Sequence, residues 1–532
     1  MLFNYTKVNY LPPLAWCAQL QQGSDVKILH GSRIERLVNG FVEGAWSGDF
    51  GSVDFDECDT LTGSGGKLVN GKAIFCGASH NLEQLYLMRK SEAIILSNSL
   101  PFLLACADDS LNMDYQDYFF TFLNNYRRGI FSRSDVIPTA QGHVVEPLSC
   151  SIVEAKNTLE VTVRLRDFGT APECYPDYID RLDRVVSRTL ANAQDARRQY
   201  PLSLRTMISR GYDSPAVSLL AARHGCNSGI SFSHSSIVDL NPGQSEERDD
   251  GIEIGAYLGL DIELLDRKLP TQISESVIAE HFPNPFLTTE LNVANVTEGL
   301  DSCLLMSGRH GEHFWNLDRR RSLPWFQEPT TVRMSGANST EARLRQGYIH
   351  FPVPYIAGVF TPHIRQISRS REMRPWSVGG NYDRPIPRRL LEEAGVPRRT
   401  FGMRKMGGGL RPGSGSIFSP IVMTSFEDFY ANNVAQEIHD NLPESNRKKV
   451  ALAYSMNMPE WEKTLRTLPL VGRSAVRFLG DGRHSRYRSP YLYFFHWGVS
   501  VVMERYRLAL ANVGMSAAEC LNNSSRAKAN ER

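Results

Sequence analysis

The sequence predicts two domains: a strand-rich α+β half over residues 1–168 and an α/β half over residues 169–532 built on a parallel sheet. Three observations predict it. The chain has 532 residues, more than the roughly 250 to 300 at which a single hydrophobic core stops growing. Up to about residue 165, short apolar runs closed by Gly, Asn, Asp or Pro follow one another at strand length. From about residue 177 the pattern changes to strands alternating with helices, as parallel strands joined by helical crossovers require. The change falls between 165 and 178, around Gly169-Thr-Ala-Pro172.

In the first half, residues 26–29, 72–76, 93–97 and 143–153 read as strands, and 82–88, 100–107 and 115–124 as helices. In the second, Ile179, Leu182, Val185, Val186 and Leu190 recur at the three- and four-residue intervals of one helix face. Strands at 203–208, 229–232 and 262–265 then alternate with helices at 215–224 and 251–257, which predicts helices on both faces of the sheet. There is no internal repeat and no heptad pattern.

The formal net charge is +1, so there is no overall basic footprint for nucleic acid. Arginines cluster locally at 319–321 and at 398, 399 and 404, as solvated surface or as the lining of a phosphate site. The 9 cysteines are odd in number and none forms a C-x-x-C pair. That argues against a disulfide framework and a zinc site and fits reduced thiols in a cytoplasmic protein. Residues 1–16 lack a signal pattern, and no run reaches the roughly 18 apolar residues of a membrane span.

The most informative segment is residues 204–220. An apolar strand enters a tight turn, Ser209-Arg210-Gly211-Tyr212-Asp213-Ser214, and leaves it as a helix with Pro215 in its first position. Such a turn aims free backbone N–H groups and a helix N-terminus at one point, an anion site. Gly211 lets the backbone come close, and Ser209 and Ser214 add hydroxyl donors. Asp213 belongs beside phosphate only if it holds a divalent cation that bridges the two. A second glycine-rich stretch, Thr62-Gly-Ser-Gly-Gly-Lys67, is not a P-loop, because the leading glycine is missing and Leu68 replaces the Ser or Thr.

The turn resembles the S-G-G-x-D-S signature of ATP pyrophosphatases, the PP-loop enzymes, with Arg210 where the family has glycine. Three further segments follow in the order found in asparagine synthetases. Asp249-Asp-Gly-Ile-Glu-Ile-Gly-Ala-Tyr-Leu-Gly-Leu-Asp261 resembles the helix before that enzyme's next strand. Ser307-Gly-Arg-His-Gly-Glu-His313 is similar to its T-G-x-G-x-D-E loop and to the S-G-H-G-G-D-H form of lasso-peptide cyclases. Residues 382–405, from Tyr382-Asp-Arg-Pro to Gly402-Met-Arg-Lys405, resemble the run that ends at the family's catalytic lysine.

The resemblance implies a PP-loop, adenine nucleotide α-hydrolase-like domain over 169–532 behind an N-terminal-nucleophile-type sandwich over 1–168. It implies a ligase that activates a small-molecule or peptide carboxylate as its acyl-adenylate, releasing pyrophosphate, and passes it to an amine. ATP and Mg²⁺ are the implied cofactors, a homodimer is compatible with it, and neither nucleic acid nor membrane is a partner. The nucleotide's phosphates fall to residues 209–214, Ser307 and Gly308, the metal to Asp213 and Glu312, and transition-state charge to Lys405. Glu312 stands where the family has aspartate.

Arg309 stands where relatives carry a residue that helps deprotonate the amine, and arginine is no base at neutral pH. His310 takes that role, or the amine arrives neutral, or Arg309 pairs with a substrate carboxylate. Three segments of the first half, 39–46, 85–99 and 136–143, look like the glutaminase sandwich of asparagine synthetase, but Leu2 follows Met1 and the first cysteine is Cys17. The resemblance therefore implies a sandwich without glutaminase activity, as in β-lactam synthetase. Sulfur transfer on the same domain, or a degenerate homologue that binds a nucleotide or a partner, are the alternatives.

Overall fold

The computed structural model describes residues 1–115, 118–132, 134–235, 248–267, 273–283, 300, 302–317, 337–380, 382–403, 420–433 and 493–513. The first half runs β1 (Phe3–Lys7), β2 (Trp16–Gln21), β3 (Val26–His30), β4 (Glu35–Leu37), β5 (Gly40–Trp46), β6 (Leu61–Val69), β7 (Lys72–Cys76), β8 (Leu85–Arg89), β9 (Ala93–Ser97), α1 (Leu100–Ala107), α2 (Tyr118–Arg128), β10 (Ile137–Pro138), β11 (Val144–Leu148), β12 (Ser151–Ala155) and β13 (Val161–Leu165). These strands form a seven-stranded sheet, β1-β3-β2-β9-β8-β11-β10, and a six-stranded sheet, β13-β12-β7-β6-β5-β4.

Two-residue periodicity places the sheets face to face. Trp16, Ala18 and Leu20 of β2 share a core with Leu85 and Leu87 of β8 and with Phe41, Phe75 and Val153 of the other sheet. The Trp16 ring stacks on Phe75 at 6.0 Å. The alternate residues Cys17, Met88, Ile95 and Val145 face the other way, against α1 and α2. Ser99 caps α1, its Oγ accepting from Phe102 N at 3.1 Å.

The second half runs α3 (Tyr175–Ala193), β14 (Ser203–Met207), α4 (Asp213–Arg223), β15 (Ser228–Phe232), α5 (Ile252–Leu258), β16 (Asp261–Leu265), α6 (Glu275–Ala279), β17 (Cys303–Ser307), α7 (Gly311–Trp315), α8 (Thr340–Gln346), β18 (Ile349–Pro352), α9 (Thr361–Arg369), α10 (Pro385–Glu393), α11 (Pro420–Asn433) and, after residue 493, α12 (Phe494–Ala511). Strands β14 to β18 form one five-stranded, wholly parallel sheet in the order β16-β15-β14-β17-β18. Leu204, Leu304, Met306 and Phe351 point from it into the main core with α3 and α4, while Ile230, Cys303, Leu305 and Tyr348 form a smaller cluster. α12 returns to the first half and lies on α1, with the Tyr506 ring stacked on Phe102 at 4.6 Å.

Some sequence expectations shift. Residues 82–88, expected as a helix, end in β8; residues 85–88 are buried on both sheet faces, so that stretch is apolar on both faces and hides the period of two. The single strand expected over 143–153 is two, β11 and β12, one in each sheet, and the chain crosses between them at Cys150 with φ +51°. The helix expected at 115–124 begins at Tyr118. α4 begins at Asp213, so Pro215 is third in its first turn rather than first, still where no N–H is required. The glycine-rich stretch at 62–67 is part of β6.

The halves are joined by buried polar groups. Asn192 of α3 accepts from Trp46 N and donates to Gly48 O. Arg343 of α8 donates to Glu43 Oε2 at 2.7 Å and lies 3.0 Å from Glu83 Oε1. The 8 cysteines among the described residues are free. No described helix is long and apolar enough to cross a membrane.

Glu341 of α8 accepts from Tyr506 OH at 2.9 Å, and burial pushes its pKa from 4.5 up to about 7. Between those values the folded protein keeps a proton that the unfolded chain gives up, so this group's contribution to stability falls as pH rises through the window. Glu341→Gln should therefore gain stability relative to the parent on going from pH 5 to pH 8 in paired denaturant titrations. A difference flat in pH would refute this account.

Candidate functional site

A parallel sheet whose strand order reverses leaves a crevice at the carboxyl ends of the two strands flanking the reversal. Here these are β14 and β17, adjacent in the sheet yet separated by β15 and β16 in the chain. The loops leaving them are residues 208–212 and 308–310. These are the two loops that the sequence singles out.

The first loop is tied internally. Ser214 Oγ accepts from Ser209 N at 3.0 Å and lies 3.0 Å from Ser209 Oγ, which in turn accepts from Gly211 N at 3.3 Å. Arg210 N donates to Asp249 O at 3.2 Å, and Arg210 O accepts from Gly402 N at 2.7 Å. Burial pushes the Asp249 carboxyl up to about 6. The Arg210 side chain is exposed. The first-turn N–H groups of α4 have no acceptor within their own helix.

Tyr212 is wholly buried. Its ring lies 4.9 Å from Tyr382 and 6.0 Å from Phe401, beneath the Arg388 guanidinium, which bonds its hydroxyl. Its side chain therefore anchors the loop from below and does not face a ligand. Gly402, at φ +65°, packs flat against that ring; a Cβ there would overlap it.

The second loop closes on the first. A Cβ on Gly308 would overlap the peptide joining Asp213 to Ser214, so only glycine lets β17's loop lie against the start of α4. Ser307 Oγ lies 2.7 Å from His350 Nε2. Burial, then the Arg309 charge, hold the His350 ring far below its usual pKa. Arg309 is half-buried. His310 is 6% exposed, at φ +63°, with Nδ1 3.1 Å from Tyr355 OH and its ring 5.2 Å from His313.

Asp213 and Glu312, the expected metal pair, do meet, and Arg384 lies between them. The Arg384 guanidinium bonds Asp213 Oδ2 and lies 3.9 Å from Glu312 Oε2. Its side chain is 2% exposed, against 14% for Asp213 and 38% for Glu312. It therefore sits under the carboxylates, leaving Glu312 open to water. Among the described residues there is no group of three or more His, Cys, Asp or Glu arranged to hold a metal.

Eleven of the expected site residues, 209–214, 307–310 and 312, thus lie on the two touching loops or on the residues that flank them, although the Tyr212 and His310 side chains are buried. Lys405 lies outside the described residues; residues 401–402 before it pack on the first loop. The sequence reading missed Arg384, Arg388, His350 and Tyr355. Arg388 lies in the first turns of α10 and Arg384 is the non-helical residue just before it, so helical spacing could not have paired them.

No protein-family model matches the chain, and no curated protein matches it.

The close approach of the loops predicts that Gly308→Ala forces them apart at a cost of about 1–3 kcal/mol. The check is the shift in denaturation midpoint at unchanged slope; a shift no larger than that of an exposed Gly→Ala control would mean the loops do not touch.

Proposed function

We propose that the chain is an ATP-dependent ligase of the asparagine synthetase type, with AMP and pyrophosphate as products and an amide as the bond formed. The observation that carries this reading is the meeting of the 209–214 and 307–312 loops at the strand reversal, with two carboxylates on one guanidinium. Ligand sites in sheets of this kind lie there.

Each group has a task in that chemistry. The first turn of α4 and the hydroxyls of Ser209 and Ser214 would receive the phosphates. Asp213 and Glu312 would hold Mg²⁺. They are hard oxygen donors, Glu312 is open to water, and Mg²⁺ takes one or two carboxylates plus phosphate oxygens and water. The ion would supply charge neutralisation to the departing pyrophosphate. Lys405 would stabilise charge on the reacting phosphorus. Arg309, the more exposed of the two loop candidates, would pair with a carboxylate of the substrate. The first half, sandwich-like and of the N-terminal-nucleophile type in this reading, would be a structural partner without glutaminase activity. Its first cysteine, Cys17, is fully buried in β2.

A second reading, a homologue that binds a nucleotide or partner without turning it over, is favoured by Arg384 on the Asp213 carboxylate. ATP–pyrophosphate exchange against a library of carboxylates separates the two. Exchange with any acid supports the ligase; ATP binding without exchange supports the second reading.

With a responsive acid in hand, Lys405→Met should lower kcat about 100- to 1000-fold with little change in the KM for ATP, as loss of a transition-state contact does. Arg404→Met is the control for general basicity. Equal, mild losses in AMP formation would show Lys405 to be ordinary surface.

A further inference from the structure

Two carboxylates and one guanidinium come together where the two loops touch, with His313 Nε2 3.7 Å from Glu312 Oε1 beside them. Arg384 enters this group from below. It is the residue immediately before α10, and its guanidinium lies 4.9 Å over the Tyr382 ring. An arginine guanidinium does not lose its proton in a protein, so it stays charged. The backbone beside it is fixed. Asp383 Oδ2 accepts from Val378 N at 3.2 Å and Gly379 N at 2.8 Å, and Asp383 O accepts from Leu317 N at 2.9 Å. Arg388, one turn on, is held by Tyr212 and by Glu392 at 3.1 Å. A cation so placed is not free to swing out when another arrives.

We propose that Arg384 makes the Asp213–Glu312 pair reject a free divalent cation and accept one only when it comes with the nucleotide's phosphates. Two bare carboxylates would attract a dication with two negative charges; with Arg384 beneath them they offer one, and the guanidinium repels the incoming ion directly. The phosphates restore the missing negative charge and supply further oxygen ligands. Arg384 is thus a positioning residue that sets the order of binding, metal and nucleotide together rather than metal first. This rests on the ligase reading for the identity of the anion and for taking Asp213 and Glu312 as the cation's ligands.

The test is Mn²⁺ uptake by electron paramagnetic resonance, on the full chain. The parent without nucleotide should take up no Mn²⁺ at the site, and with a non-hydrolysable ATP analogue it should. Arg384→Met should take up Mn²⁺ without nucleotide, its affinity at least about tenfold above the parent's, as removal of a charge a few ångströms away implies. Arg384→Met/Glu312→Gln should lose that gain, and Arg384→Lys, which keeps the charge, should behave as the parent. Mn²⁺ bound by the parent equally with and without nucleotide would overturn the inference, whether or not the variants fold. So would an Arg384→Met protein of parental melting temperature with unchanged or weaker uptake. Failure of the parent to bind the analogue at all, with Arg384→Met still gaining Mn²⁺, would instead remove the nucleotide reading and leave the charge competition standing.

Discussion

The reversal of strand order between β14 and β17 is the constraint on which the rest of the site depends. Because β15 and β16 lie on one side of β14 and β17 and β18 on the other, the chain must leave β14 and β17 in opposite directions. Their loops then diverge above the sheet, where a crevice opens. Among the described residues the chain narrows it where Gly308 lies against the Asp213–Ser214 peptide and Gly311 against the Asp213 side chain. It is these contacts that bring Glu312 of α7 to the same guanidinium as Asp213 of α4. The arrangement of the site therefore follows from topology and two missing Cβ atoms, at Gly308 and Gly311.

A second regularity is the use of buried arginines where loops and domains meet. Arg343, Arg365, Arg384 and Arg388 are each at most 2% exposed. Arg343 joins Glu43 and Glu83 across the two halves, and Arg365 donates to His313 O behind the second loop. Buried ion pairs of this kind add little net stability over apolar packing but are costly to break singly, by about 3–5 kcal/mol. They penalise any arrangement in which one member loses its partner. The two halves are thus joined by charge matching as well as by a shared apolar core, and Glu43 is itself held by Ser64 Oγ at 2.6 Å.

Much of this was legible in the sequence because it rests on local signals. The β14–turn–α4 unit shows itself in an apolar run, a glycine-bearing turn and an early proline. The face of α3 shows in the spacing of Leu182, Val185, Val186 and Leu190, all buried. What was not legible depends on contacts distant in the chain. Residues 82–88 hid their strand because both faces of β8 are covered, one by a second sheet and one by helices. Arg384 was hidden because nothing in the spacing of arginines tells which will be buried 171 residues from its carboxylate. Tyr212 misled for the opposite reason: its place in the loop suggested a ligand contact, whereas its side chain turns inward beneath Arg388. A loop's backbone and its side chains can face opposite ways, and sequence position records only the first.

That distinction bears on the proposed ligase reading, in which this loop would lack its usual base. Arg309 and His310 are neighbours in a short loop, and the αL backbone of His310, at φ +63°, separates their directions. The strain of a left-handed non-glycine residue persists only where its surroundings hold it. Here the hold is visible: His310 Nδ1 sits 3.1 Å from Tyr355 OH, and His313 N donates to His310 O at 2.7 Å. A ring pinned in this way and 6% exposed is poorly placed to take a proton from an amine arriving in the crevice. Arg309, half-buried on the open side, is better placed but cannot accept a proton. Under the proposed ligase reading, the routes compatible with this geometry would need no base from this loop. Either the amine would arrive neutral, or Arg309 would serve by gripping a carboxylate of the substrate.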